Sequence, residues 1–397
     1  MRQMTLCQKL FKKALADTIH VKRIKCLTRF VGSLLNTNTT LSVAEIGKVL
    51  DSNTSVKHNI KAADYFVNNT GLEEDLLPIY KGIAHFFWKG LTQVTILVDW
   101  SGACSDSQYV LQASLVGHGR SIPVYHEIHG KSEQEKPEVH EGFLKNLAQV
   151  LPQHLAVTIV TDAGFHREWF MLVLELGWDY IGRIYSCYYY QAIDETSWYS
   201  VKDIKFAKIG KAETLGKVRL GKTKKTLTGY LYTYKYSVSG KPHKKNKYPT
   251  HEKRHSQSYQ NGWVIFSSLK KPANALINYY KKRMQIEQNF RDIKSEQYGV
   301  GLRRNNSTGK TKINMLYFLA ALINLVLWWI GLVIERHNKQ YQYQANTIKN
   351  KRVRSLTHLG RMACQRQDKL ISWYNFKILL QQLQVHYLHF ICTGGLN

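Results

Sequence analysis

The sequence predicts a mixed α/β fold, and three observations carry that reading. From Thr92 onward, short apolar and β-branched runs such as Val94–Val98 and Ala156–Thr161 alternate with segments of helical periodicity. Residues 1–88, by contrast, show helical spacing alone. Hydrophobic residues make up 44% of the 397 residues, enough for a sizeable core and too many for a disordered chain. As a prior, that length corresponds to about two or three domains.

Taken in order, Val21, Ile24, Leu27, Val31 and Leu34 mark a helix. Ser42 followed by Glu45 is a capping-box pattern that opens a second helix through Leu50. After the polar turn 51–55, Val56, Ile60, Ala63 and Val67 mark a third, which carries Lys57, His58 and Lys61. This pair reads either as a helix-turn-helix or as part of an ordinary bundle with a solvated basic face. Strands are predicted at Val94–Val98, Tyr109–Val116 and Ser121–His126, the last two joined by a turn at Gly117–Gly119. A helix at Pro137–Val150, a strand at Ala156–Thr161, a helix at Phe165–Leu176 and a strand at Tyr180–Ile184 follow. The order is a sheet that opens with an antiparallel meander. Residues 186–262 are rich in Tyr, Gly and Lys and read as a β-rich insertion, with sixteen Lys and Arg against three acids between Lys202 and His255. Strand character returns at Trp263–Phe266, then a long helix at Lys271–Gln297, an apolar helix at Thr311–Arg336 and smaller helices over 340–397. The domains drawn from this pass are 1–88, helical; 89–336, α/β, with the β-rich insertion at 186–262; and 337–397, helical.

Lys and Arg total 56 against 28 Asp and Glu, a formal charge of +28. That excess calls for a polyanionic partner, nucleic acid or an anionic membrane surface. Met315–Ile334 is twenty residues without a charge, long enough to span a bilayer. It has no second span beside it and holds Asn324 near its middle, so we read it as a helix buried on all sides. The six cysteines form no CxxC pair, which argues against zinc fingers and a disulfide framework and for a reducing, cytoplasmic compartment. The first residues lack the apolar core of a secretory signal. His118, His126 and His129 have no regular ligand spacing and read as structural or DNA-facing.

Acids are scarce, so their placement carries information. Asp99 and Asp162 each follow an apolar strand, at the end where open α/β sheets build their sites. Two such carboxylates offer the hard oxygen ligands that Mg²⁺ and Mn²⁺ take. Alone, each is as readily a residue that caps the next helix. Within the long helix, Tyr280, Arg283, Glu287 and Lys294 stand at offsets 0, 3, 7 and 14, one face at about 3.6 residues per turn. A carboxylate flanked by two cations and a phenol suits a phosphodiester. An exposed helix with an i,i+4 Arg283–Glu287 pair has the same spacing.

These pieces together carry a resemblance. LVDWS (97–101), HGRSIPVY (118–125), VTDAGF (160–165) and YKKRMQIEQNFRDIKS (280–295) resemble the bacterial cut-and-paste DDE transposases with the Y-(2)-R-(3)-E-(6)-K signature. Within them the chain is most similar to the transposon-ten group of insertion-sequence transposases. KHNIK (57–61), GVGLRR (299–304) and QANT (344–347) extend the similarity along nearly the whole chain, and it is weakest over 186–260.

The resemblance implies a ribonuclease H-like catalytic core with a β-rich insertion before the last acid, in keeping with the 124 residues between Asp162 and Glu287. It implies that Asp99, Asp162 and Glu287 are the catalytic, metal-holding acids, with a pair of Mg²⁺ ions that Mn²⁺ can replace. It places Tyr280, Arg283 and Lys294 on DNA phosphate, Trp263 on a base flipped from the transposon end and Met284 in the gap that base leaves. Trp263 is otherwise a core strand aromatic. The expected partners are transposon ends, target DNA and a second copy in a synaptic dimer, with no membrane, in the bacterial cytoplasm at the nucleoid. The expected reaction is excision through hairpin ends, then joining of 3′-OH ends to target DNA. The rivals are a ribonuclease H-like, metal-dependent nuclease or resolvase without strand transfer, and a non-catalytic DNA-binding descendant.

Overall fold

A computed structural model describes residues 2–37, 40–103, 107–222, 226–236, 262–296, 299–305, 307–345 and 347–393. Cys104, residues 237–261 of the insertion, Gln297 at the expected end of the long helix, Asn346 of QANT and residues 394–397 lie outside them. The chain divides into two compact units. The first comprises Met1–Leu155 and Gln285–Asn397; the second comprises Ala156–Met284.

The first unit opens with helices α1 (Arg2–Leu15), α2 (Val21–Leu34), α3 (Val43–Val49), α4 (Val56–Val67), α5 (Thr70–Glu74) and α6 (Leu76–Trp88). The capping residue at α3 acts as its pattern predicts: Ser42 Oγ accepts from Glu45 N at 3.3 Å. Close contact of α3 with α4 depends on Gly47, where a Cβ would lie 2.4 Å from Ile60 Cα. On α4, Val56, Lys57, His58, Lys61 and Tyr65 are exposed.

Strands β1 (Gln93–Gly102), β2 (Gln108–Leu115) and β3 (Ile122–Gly130) form the predicted antiparallel meander. They run longer than their apolar cores, so Asp99 lies inside β1 and not beyond its end. In register, Asp99 pairs with Gln112 and Gln112 with His126, a polar row across one face of the three strands. Helix α7 (Pro137–Val150) serves the other face, where Trp100 Nε1 meets His140 Nε2 at 3.2 Å.

The second unit begins with β4 (Ala156–Thr161), α8 (Arg167–Glu175) and β5 (Asp179–Arg183), with β4 and β5 parallel. Next come β6 (Tyr189–Ala192), β7 (Tyr199–Ser200), β8 (Ala212–Leu220), β9 (Leu227–Tyr234) and β10 (Trp263–Ser267). The strand order β4-β5-β10-β9-β8-β6-β7 is antiparallel after the first pair. The described strands of the insertion, β6 to β9, thus extend this sheet, with β9 paired to β10. Helix α9 (Ala273–Lys281) closes the unit.

Here the structure corrects the long helix. It is two helices, α9 and α10 (Met284–Lys294), separated at Lys282 and Arg283. The N–H groups of Lys282 and Arg283 bond three residues back, to Tyr279 and Tyr280 carbonyls, which tightens and ends the turn. The cations 281–283 suit a helix C-terminus, where the dipole is negative. Tyr280, Arg283, Glu287 and Lys294 therefore do not share one continuous helical face.

In the first unit, α11 (Lys310–Arg336) is the apolar segment, and its most apolar stretch is wholly buried in the protein. Helix α12 (Leu356–Gln365) crosses it glycine to glycine: a Cβ on Gly331 would lie 2.0 Å from the Leu356 carbonyl oxygen, and one on Gly360 2.0 Å from that of Leu327. The last helix, α13 (Trp373–Thr393), is long where small helices are expected, with a kink at His386.

Candidate active site

In the first unit, Asp99 is 8% exposed on β1, and its Oδ1 accepts from the Trp100 amide at 2.9 Å. Ser101 stands two residues on, so it shares the Asp99 face of the strand. Lys294 Nζ donates to Ser101 Oγ at 2.7 Å, which lays α10 along that face. Glu287 and Lys294 are seven residues apart on α10, within about 20° of each other around the helix. Between them and the far side of the buried arc lie Ile286, Phe290 and Ile293, all buried. This unit therefore assembles a carboxylate strand, a carboxylate helix and a cation tied to the strand.

In the second unit, Asp162 directly follows β4, as predicted. Its Oδ1 accepts from Gly164 N at 2.8 Å, a local turn. Helix α8 starts only at Arg167, after His166, so Asp162 does not cap it. Tyr280 is buried on α9, and its ring meets Trp263 edge-on at 5.0 Å. Burial pushes the Tyr280 phenol up to about 12, opposed by the Arg283 and Arg183 cations and supported by the Asp162 carboxylate. Tyr280 is thus a neutral hydroxyl at physiological pH, a donor beside two guanidinium groups and an acid. Trp263 is 7% exposed, with Tyr234 and Tyr236 rings at 5.5 and 5.6 Å. Met284 is exposed beside Arg283.

Three contributors escaped the sequence reading. Ser101 could have been found from its i+2 spacing to Asp99. Arg183 ends β5, next in register after the Thr161–Gly182 pair that precedes Asp162. Gln112 is a polar residue within the buried run Val110–Leu115. Of the three histidines read as structural or DNA-facing, His126 is buried with its Nδ1 2.6 Å from Tyr80 Oη, and His129 Nε2 lies 2.9 Å from Glu127 Oε2.

In the second unit, the Asp162 carboxylate, the Tyr280 phenol and the Arg183 and Arg283 guanidinium groups form a set of donors and charges suited to phosphate. Residues 99–325 match the transposase DDE domain family, more than half of the chain. The chain belongs to that family: it is a DDE-type transposase, a metal-dependent phosphoryl-transfer enzyme whose substrate is DNA. Comparison with curated proteins returns no match.

Within each unit, among the described residues, no three His, Cys, Asp or Glu side chains form a ready-made metal cage. The candidate acids are divided, Asp99 and Glu287 in the first unit and Asp162 in the second. By donor chemistry they fit a hard divalent ion: all three offer carboxylate oxygens, with no thiol or imidazole among them.

Proposed function

We propose that the protein is a cut-and-paste transposase of an insertion sequence, most similar to the transposon-ten group. It binds the terminal inverted repeats, excises the element and joins its 3′-OH ends to target DNA. The observation that carries this is the Lys294–Ser101 bond, which ties the helix bearing Glu287 to the strand bearing Asp99, inside a chain of the DDE family.

Asp99, Asp162 and Glu287 would hold the divalent ions, Mg²⁺ or Mn²⁺, which supply Lewis-acid activation and charge neutralisation when bound. Tyr280 keeps its proton and donates to a phosphate oxygen, while Arg283 and Lys294 balance phosphate charge. Because burial keeps the phenol protonated, it serves as a donor and not as a nucleophile. Water attacks phosphorus at the transposon end, the P–O3′ bond breaks and a 3′-OH is released. That hydroxyl then attacks phosphorus in the opposite strand and displaces the flanking 3′ oxygen to give a hairpin, a second water attacks the hairpin phosphorus and frees the 3′-OH again, and that 3′-OH finally attacks a target phosphorus, displacing a target 3′ oxygen. Trp263 would stack a flipped base and Met284 would fill its place, since an extruded base needs an apolar platform. The 1–88 helices, with the exposed basic face of α4, and the basic insertion would bind the ends, and two copies would bridge them. The place of action is the bacterial cytoplasm.

Strand transfer with pre-cut ends tests the reading. Purified protein, Mg²⁺ and duplex ends bearing a free 3′-OH should yield joined products. Cleavage of uncut ends without any joining would instead mark a nuclease or resolvase.

A further inference from the structure

The buried side of α10 is docked by a polar stripe and not only by apolar packing. Gln285, Asn289 and Asp292 fall within about 60° of each other around the helix. Each meets the β2–β3 hairpin. Gln285 Oε1 accepts from Gly117 N at 3.0 Å, Asn289 Oδ1 from Gln112 Nε2 at 3.1 Å, and Asp292 Oδ2 from Arg120 Nε at 2.7 Å. Asn289 and Asp292 are each 2% exposed, and Gln112 is fully buried.

Gln112 is the centre of this arrangement. It stands opposite Asp99 in the β1–β2 register, so their side chains leave the same face of the sheet. Its amide donates to Asn289 Oδ1 and to Ser114 Oγ at 2.7 Å, and its carbonyl oxygen accepts from Tyr317 Oη on α11 at 2.7 Å. Asn289 is two residues beyond Glu287. One amide therefore touches the core helix, neighbours the Asp99 strand and grips the Glu287 helix.

A buried amide contributes little net stability even when satisfied, and costs much when one partner is lost. An apolar contact would hold the helix about as strongly but would tolerate rotation and sliding. Directed bonds at offsets 0, 4 and 7 do not, because a shift of one turn moves the helix by about 5.4 Å and breaks all three. We infer that Gln112 is a positioning residue that fixes the Glu287 helix against the Asp99 strand through Asn289, with Arg120–Asp292 locking the same register. This rests on the proposed roles of Asp99 and Glu287.

The test is a double-mutant cycle with Gln112→Leu and Asn289→Leu, read by single-turnover nicking of transposon-end DNA across a Mg²⁺ titration. Each single variant should bind end DNA normally, nick about tenfold or more slowly and need several-fold more Mg²⁺ for half-maximal rate. The double variant should be no slower than the slower single, because both act through one bond. Additive losses, or an unchanged Mg²⁺ requirement in folded protein, would overturn the inference. If Gln112→Leu does not fold, Tyr317→Phe decides. It deletes one hydroxyl and should raise the Mg²⁺ requirement in the same direction, and no change there would refute the role. Glu287→Gln is measured alongside. Normal nicking by it would overturn the proposed catalytic acids, whereas a dead Glu287→Gln beside a normal Gln112→Leu would overturn only the positioning role.

Discussion

At the scale of single residues, the chemistry rests on which groups carry charge. Asp99→Asn, Asp162→Asn and Glu287→Gln each remove one carboxylate while keeping shape. Each should lower nicking by about a thousandfold or more with little change in melting temperature. A variant that retains wild-type nicking would remove that acid from the site. Tyr280→Phe removes a donor whose proton is held by burial, so it should slow nicking about tenfold to a hundredfold without abolishing it, and no phosphotyrosine should form on the parent protein. His126 gives a stability prediction. Burial lowers its folded pKa to about 4 from an ordinary value near 6.5. The unfolded chain therefore takes up this proton first. The contribution is fully present above about pH 6.5 and is lost as pH falls toward 4. Denaturant midpoints measured across that window should decline, and His126→Gln should flatten the decline.

At the scale of elements, α11 and α12 meet through backbone, and that contact has a steep cost of substitution. Gly331→Ala would place a methyl group 2.0 Å from the Leu356 carbonyl oxygen and should destabilise by about 3 kcal/mol, read from the denaturant midpoint at constant slope. This is also the scale at which the sequence is most and least readable. Ala156–Thr161 and Pro137–Val150 match their predicted limits, because β-branched runs and a Pro at the first helical turn are strong local signals. The break between α9 and α10 is hidden, because no Gly or Pro marks it and the helical periodicity continues across it. The polar stripe Gln285, Asn289 and Asp292 is hidden for another reason. Such residues at helical spacing look solvated, and only the partners on β2 and the following turn reveal that they face inward. Asp99 reads as strand-terminal because the β1 run turns polar after Val98, although pairing with β2 carries the strand to Gly102.

At the scale of the whole molecule, the +28 charge requires a polyanion, and the family supplies DNA. Affinity for end DNA should fall by about a thousandfold or more between 50 and 200 mM salt, with a log–log slope that counts phosphate contacts. A shallow slope would place the basic excess off the DNA. The family was legible from motif spacing, since its chemistry fixes residue types at fixed separations, and the proposed acids and phosphate contacts rest on the same motifs. The division into units was not, because the chain leaves the first at Leu155 and returns at Gln285 in the middle of what reads as one helix. Anomalous scattering from Mn²⁺ in crystals of the full chain bound to transposon-end DNA decides whether the three acids share a metal site. Manganese should lie among carboxylate oxygens of Asp99, Asp162 and Glu287 beside the scissile phosphate. Manganese held by other side chains, with any of these three acids remote from it, would refute that site.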